Sequence, residues 1–137
     1  MRRGSLAALV AAALTAGVDV FYVLLISAEE DTGRVGDSRV LFVAGCLATA
    51  AICTAIGALI PDGPLRVVLL AASGCTLLAW TFLGISSIGI VLLLPAILTI
   101  RSAARAAGAM AGEFSYGVAA AAGFAGLAIV AIGVANT

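Results

Sequence analysis

The sequence has no histidine and no lysine, and only 10% of its 137 residues are charged. Histidine is the commonest acid/base group near neutral pH and the commonest metal ligand. Its absence excludes serine or cysteine catalysis through a histidine base within this chain. No phosphate-binding loop and no dinucleotide fingerprint is present either. We therefore expect a protein that is not an enzyme and that has no catalytic residues, no cofactor and no bound metal.

Cysteine is scarce, and its spacing does not favour a metal site. The three cysteines are Cys46, Cys53 and Cys75, without a C-x-x-C pair. A tetrahedral zinc site needs four such ligands, and no histidine is available to complete one. The thiols are therefore expected to be packing groups. The seven basic residues are all arginines and are scattered, so the sequence has no basic stripe and predicts no nucleic-acid partner.

Apolar residues are abundant: they make up 64% of the chain, and the mean hydropathy is +1.25. A soluble domain is about half apolar and about a quarter charged. Five spans of about 20 residues each would use roughly 100 residues of this chain. The sequence therefore predicts a single transmembrane domain over 1–137, with the lipid bilayer as its surroundings and no soluble domain.

The hydropathy pattern predicts an all-α bundle that crosses the membrane five times. The predicted transmembrane helices lie at about residues 6–28, 40–60, 65–83, 86–100 and 116–135. The apolar stretch 65–100 would be ~54 Å long as one helix, which is much more than the ~30 Å hydrocarbon core. It is therefore expected to reverse within Gly84–Gly89. Pro61 and Pro64 predict a tight turn between the second and third spans.

The arginines predict the orientation of these helices. With a cytoplasmic N-terminus, five arginines face the cytoplasm, and only Arg34 and Arg39 lie outside. This distribution follows the positive-inside rule and leaves the C-terminus outside. Arginine without lysine, together with many Ala, Gly and Val residues, is typical of GC-rich coding and favours a bacterial source. The expected location is the inner (plasma) membrane, as a multi-pass protein.

A cleaved signal peptide is the alternative for the first span. A basic start, an apolar stretch and Ser27-Ala28 before Glu29 are all present. Signal peptides have apolar regions of about 7–15 residues, whereas this stretch has 23 residues and contains an acid. An uncleaved helix is the preferred interpretation.

Asp19 is the one acidic residue predicted deep in the membrane. It lies about 3 Å from the centre of the first span, given a rise of ~1.5 Å per residue. Insertion of an acid there costs roughly 2.5–3.5 kcal/mol, and such residues usually face other helices or a water-filled cavity. Thr15 and Tyr22 share its face at helical spacing. No basic residue is predicted at that depth, which favours a protonated, hydrogen-bonding Asp19.

Two functional hypotheses follow. The first is a small non-enzymatic membrane protein that serves as an accessory, assembly or structural component, in a homo-oligomer or with other membrane proteins. Close helix contacts through small residues support it, including the pairs Ala119–Gly123 and Ala122–Gly126 in the last span. The alternative is a small proton-coupled transporter or efflux protein, with Asp19 as the proton carrier and with Thr15 and Tyr22 as its hydrogen-bond partners.

Overall fold

Five α-helices form the chain in the computed structural model, which describes residues 3–28, 38–84, 89–109 and 113–136. The helices are α1 (Arg3–Ala28), α2 (Ser38–Leu59), α3 (Pro64–Leu83), α4 (Gly89–Ala109) and α5 (Glu113–Asn136). Each is long and apolar enough to cross a membrane. The expected all-helical fold with five candidate spans is therefore confirmed. The orientation of the termini stays a prediction.

The fourth helix differs most from the expected bounds. It was expected to end near residue 100, but α4 continues to Ala109 and includes Arg101 and Arg105. The predicted end was placed where the charges begin, which marks the end of the apolar run. The helix itself continues because alanine and arginine are both good helix formers. Its expected start at residues 86–88 lies outside the described residues.

Short connections precede and follow α3, and each depends on particular residues. Pro64 occupies the first turn of α3, where a missing backbone N–H costs nothing. At the other end of α3, the Gly89 N–H donates to the Gly84 carbonyl at 2.7 Å. A Cβ atom on Gly89 would lie 2.3 Å from the Thr81 carbonyl oxygen, so this close approach requires glycine. The stretch 65–100 is thus divided into two helices, as expected; residues 85–88 of the reversal lie outside the described part.

Helices α1 to α4 form a ring in which each helix packs against the next and α4 packs back against α1. Helix α5 lies outside this ring and packs mainly on α3. Near the start of α1, the core is built from small residues such as Ala8, Ala58 and Ala103. Larger residues, among them Leu77 and Trp80, fill the other end. In a lipid bilayer, burial of apolar surface does not drive helices together, so close contacts at small residues would hold this bundle together there.

Buried hydroxyl groups in the ring are paired with their own helices. Thr15, Thr54 and Thr99 are fully buried. Each hydroxyl donates to the carbonyl four residues earlier, at 2.8–2.9 Å. The Thr54 hydroxyl oxygen also lies 3.0 Å from that of Ser73, which links α2 to α3. These bonds satisfy polar groups that would otherwise be costly in an apolar interior.

Candidate functional site

Asp19 lies at the edge of the face of α1 that is buried against the other helices. Val18 beside it is buried, whereas Val20 on its other side is 58% exposed. The carboxylate oxygen Oδ1 of Asp19 is buried, and no residue in the described part of the chain gives it a hydrogen bond. A buried acceptor without a donor is unfavourable, and most so in an apolar medium. Asp19 is therefore placed where an additional donor would stabilise the structure.

Thr15 and Tyr22 lie on the same side of α1 as Asp19, but their surroundings differ. The Thr15 hydroxyl donates to the Ala11 carbonyl at 2.9 Å, so its proton points along its own helix. Tyr22 lines a cavity of about 170 Å³ together with residues of α2, α3 and α4, including Trp80. The helix thus keeps the three side chains near one another without joining all three by hydrogen bonds. A shared role in proton transfer stays a prediction.

A groove lies between α2 and α5, with α3 as its floor, and we call it the α2–α5 groove. Its volume is about 510 Å³. Gly45 and Thr49 of α2, Ser73 and Thr76 of α3, and Gly126 and Ile129 of α5 are among its lining residues. A further cavity of about 240 Å³ is lined by Arg39, Phe42, Val43, Trp80 and Val134. Asp19 lines none of these three cavities.

Arg66 is a residue whose position the sequence analysis did not anticipate. It is one of the five arginines that were predicted to face the cytoplasm, and it is only 6% exposed. Its Nη1 group donates to Oδ1 of Asp62, one helical turn earlier, and forms an ion pair with it. Its Nε group is buried without an acceptor among the described residues. The D-x-x-x-R spacing, which places opposite charges four residues apart, is the signal that points to this pair.

Trp80, near the end of α3, is a core residue. Phe82 is exposed, but Trp80 is only 9% exposed and packs edge-to-face on Phe42, with the ring centroids 6.0 Å apart. Trp80 therefore belongs to the core and joins α3 to α2.

The contact between α3 and α5 depends on glycines that the sequence analysis singled out. A Cβ atom on Gly123 would lie 2.7 Å from the Cys75 sulfur. One on Gly126 would lie 2.8 Å from the Ala72 carbonyl oxygen and from the Thr76 hydroxyl oxygen. The contact at Gly126 involves the α3 backbone and is too short for any side chain, whereas a side chain at Gly123 requires the Cys75 sulfur to move. Helix α5 therefore approaches α3 closely. The expected tight face of α5 is confirmed at both glycines.

The fold defines an all-helical chain with five candidate membrane spans, which is the class of a multi-pass membrane protein. Comparison with protein-family models, curated proteins and solved structures gives no match to this chain. The functional argument therefore rests on the chain's own residues.

Proposed function

We propose that the protein is a non-enzymatic component of a membrane assembly, formed with further copies of itself or with other membrane proteins. Its location in this proposal is the plasma membrane of a bacterium, with the N-terminus in the cytoplasm and the C-terminus outside. The observation that carries the proposal is Asp19 itself, a half-buried acid whose Oδ1 atom has no hydrogen-bond donor in the described chain. A donor on a neighbouring helix that reaches the exposed part of this carboxyl group would offset part of the cost of an acid at mid-membrane depth.

The surface of α1 beside Asp19 suits a close neighbouring helix. Ala16, one helical turn before Asp19, is exposed there. Gly17, which is also open, lies on the opposite side of the helix. Small residues let two backbones approach closely, which brings polar side chains within hydrogen-bonding reach across the contact. A small exposed residue beside an acceptor that has no donor in the described chain supports α1 as the assembly contact.

Proton-coupled transport is the competing proposal. Such a pathway would need water-accessible space at Asp19, since a carrier must exchange protons with both sides of the membrane. Ser73 and Thr76 line the α2–α5 groove, but Asp19 and Thr15 do not. The geometry therefore favours assembly over transport.

Asp19→Leu is expected to weaken assembly, and Asp19→Asn is expected to retain it. Leucine removes the hydrogen-bonding group, whereas asparagine keeps an oxygen acceptor of similar size. An interhelical hydrogen bond in a membrane contributes about 1–2 kcal/mol, so the association constant should fall roughly 5- to 30-fold for Asp19→Leu. The measurement is the subunit count in native membranes by single-molecule photobleaching over a range of expression levels.

Two further variants decide between the competing proposals. Ala16→Leu should block close approach on the Asp19 side of α1, whereas Gly117→Leu, at an open position on α5, should not change the subunit count. An unchanged count for both Asp19→Leu and Ala16→Leu would refute assembly through α1. Proton flux into liposomes, followed with a pH-sensitive dye, tests the alternative: flux abolished by Asp19→Asn with assembly intact would establish transport instead.

A reporter joined after Thr137 is expected to lie outside the cytoplasm. Five crossings from a cytoplasmic N-terminus give this result, because each crossing changes the side of the membrane. Alkaline phosphatase fused at this point should be active, and a fluorescent protein that folds only in the cytoplasm should stay dark. The opposite pattern would contradict the proposed orientation without affecting the bundle itself.

A further inference from the structure

Helix α4 carries a strip of exposed side chains along one side. Ile90, Leu94 and Ile97 are 69%, 56% and 51% exposed. Arg101 and Arg105 follow them at helical spacing, and both are exposed as well. The strip therefore begins with apolar side chains and ends with two guanidinium groups on the same side of the helix.

The opposite side of this part of α4 is packed into the bundle. Ser102, Ala103, Ala106 and Ala107 are buried. Ala103 belongs to the small-residue core that contains Ala8. Because these contacts fix one side of α4, the helix cannot rotate to bring its arginines into the bundle. The two guanidinium groups therefore face the surroundings of the protein.

Arg101 lies within the candidate span Gly89–Ala109. It is about two helical turns before Ala109, which is ~12 Å at ~1.5 Å per residue. An exposed cation at such a position is costly in a bilayer unless it reaches the membrane surface or meets an anion. Arginine reduces this cost by extending its long side chain toward the polar layer of the membrane. The headgroup region is therefore where Arg101 finds a counter-ion.

No acidic side chain that the structure describes neutralises these arginines. Neither guanidinium group has a hydrogen bond or an ion pair among the described residues. Asp62, at the same end of the bundle, is paired with Arg66. Asp19 lies at the other end of the core, beside Val18. An anion from the surroundings would therefore stabilise both groups.

We propose that Arg101 and Arg105 hold the phosphate of an anionic phospholipid, with an acyl chain of that lipid along Leu94 and Ile97. Side chains one turn apart have Cβ atoms about 5–6 Å from each other, so both guanidinium groups can reach one phosphate. The planar guanidinium group matches the geometry of phosphate and can donate two N–H groups to it. The site rests on the proposed membrane location, and it is independent of assembly through α1.

Arg101→Gln and Arg105→Gln test the site. Delipidated protein in neutral detergent is titrated with phosphatidylglycerol, and the complexes are counted by native mass spectrometry. A basic residue near the membrane surface contributes ~1 kcal/mol, so each variant should bind roughly fivefold more weakly and the double variant roughly 25-fold more weakly. Arg39→Gln is the matched control: it removes the same charge from an exposed arginine near the start of α2, and it should bind as the unmodified chain does.

Thermal unfolding without lipid shows whether each variant folds. If the double glutamine variant is unstable, Arg101→Lys/Arg105→Lys replaces it. Lysine keeps both charges but lacks the planar fork, so phosphatidylglycerol binding should lie between that of the unmodified chain and that of Arg101→Gln/Arg105→Gln.

Three outcomes would overturn the proposal. Equal weakening in Arg39→Gln and Arg105→Gln would mean that bound lipids respond only to the overall charge. Displacement of phosphatidylglycerol by an equal concentration of inorganic phosphate would show that the arginines hold a soluble anion. A changed subunit count in the double glutamine variant, with lipid binding intact, would show that they pair with an acidic partner protein instead.

Discussion

Gly126→Leu is expected to lower the free energy of unfolding by about 3 kcal/mol and to separate α5 from α3, since overpacking typically costs 1–3 kcal/mol. A Cβ atom at this position would lie 2.8 Å from the Ala72 carbonyl oxygen, which belongs to the backbone of α3. A flexible side chain can turn away from such a contact, but a helix backbone can only shift as a unit. Helix α5 lies outside the ring and packs mainly on α3, so little else holds it in place.

Gly117→Leu is the matched control for this substitution. It introduces the same side chain into the same helix, where a Cβ atom meets nothing within 4 Å. Both variants gain about 1 kcal/mol of intrinsic helix propensity from replacing glycine, so the difference between them isolates the contact with α3. Equal unfolding free energies for the two variants, measured by denaturant titration in bicelles, would contradict the tight α3–α5 contact.

An engineered disulfide reports the position of α5 directly. A Cβ atom on Gly123 would lie 3.7 Å from the Cys75 Cβ, within the ~3.5–4.5 Å range found in disulfides. Gly123→Cys, in a background with Cys46→Ser and Cys53→Ser, should therefore form a bond with Cys75 on mild oxidation. The loss of two maleimide-reactive thiols measures its formation. Adding Gly126→Leu should suppress the bond, and adding Gly117→Leu should not.

Asp62→Ala is expected to destabilise the fold by about 2–3 kcal/mol, because it removes the carboxylate that neutralises a buried arginine. The Arg66 side chain is 7% exposed and that of Asp62 is 29% exposed. Loss of one partner from a fully buried pair costs about 3–5 kcal/mol. The smaller value here reflects the partial exposure of Asp62, which lets water reach this end of α3 and hydrate the guanidinium group in part.

The double variant Asp62→Ala/Arg66→Met tests whether the destabilisation of Asp62→Ala comes from the unpaired charge of Arg66. Methionine fills similar space without a charge, so the double variant is expected to recover most of the stability that Asp62→Ala loses. Arg105→Ala, which removes an exposed arginine, is expected to change the unfolding free energy by less than about 0.5 kcal/mol. An Asp62→Ala variant as stable as the unmodified chain would show that the ion pair contributes nothing.

Hydropathy and length alone were sufficient to count the helices. The five predicted spans agree with the five described helices, since both depend on local runs of apolar residues and on breakers such as Pro61 and Pro64. The bound that differed most was the end of the fourth span. There the sequence marked where the charges begin, but the alanine-rich chain stays helical to Ala109.

The sequence also indicated particular residues on which the site depends. Asp19 was singled out because an acid in an apolar run is costly, and Gly123 and Gly126 were singled out because small residues permit close packing. Each of these inferences uses the identity of a residue and its depth in a span. Neither property depends on which helices are neighbours.

What the tertiary structure decided is which side of each helix faces inward. The spans are apolar nearly all round, so their sequences carry little pattern to distinguish a buried face from a lipid-facing one. The burial of Arg66, the core position of Trp80 and the missing donor at Asp19 all follow from how the helices are arranged. In a membrane that arrangement is set by backbone contacts and pairing of polar groups, which only the folded chain brings together.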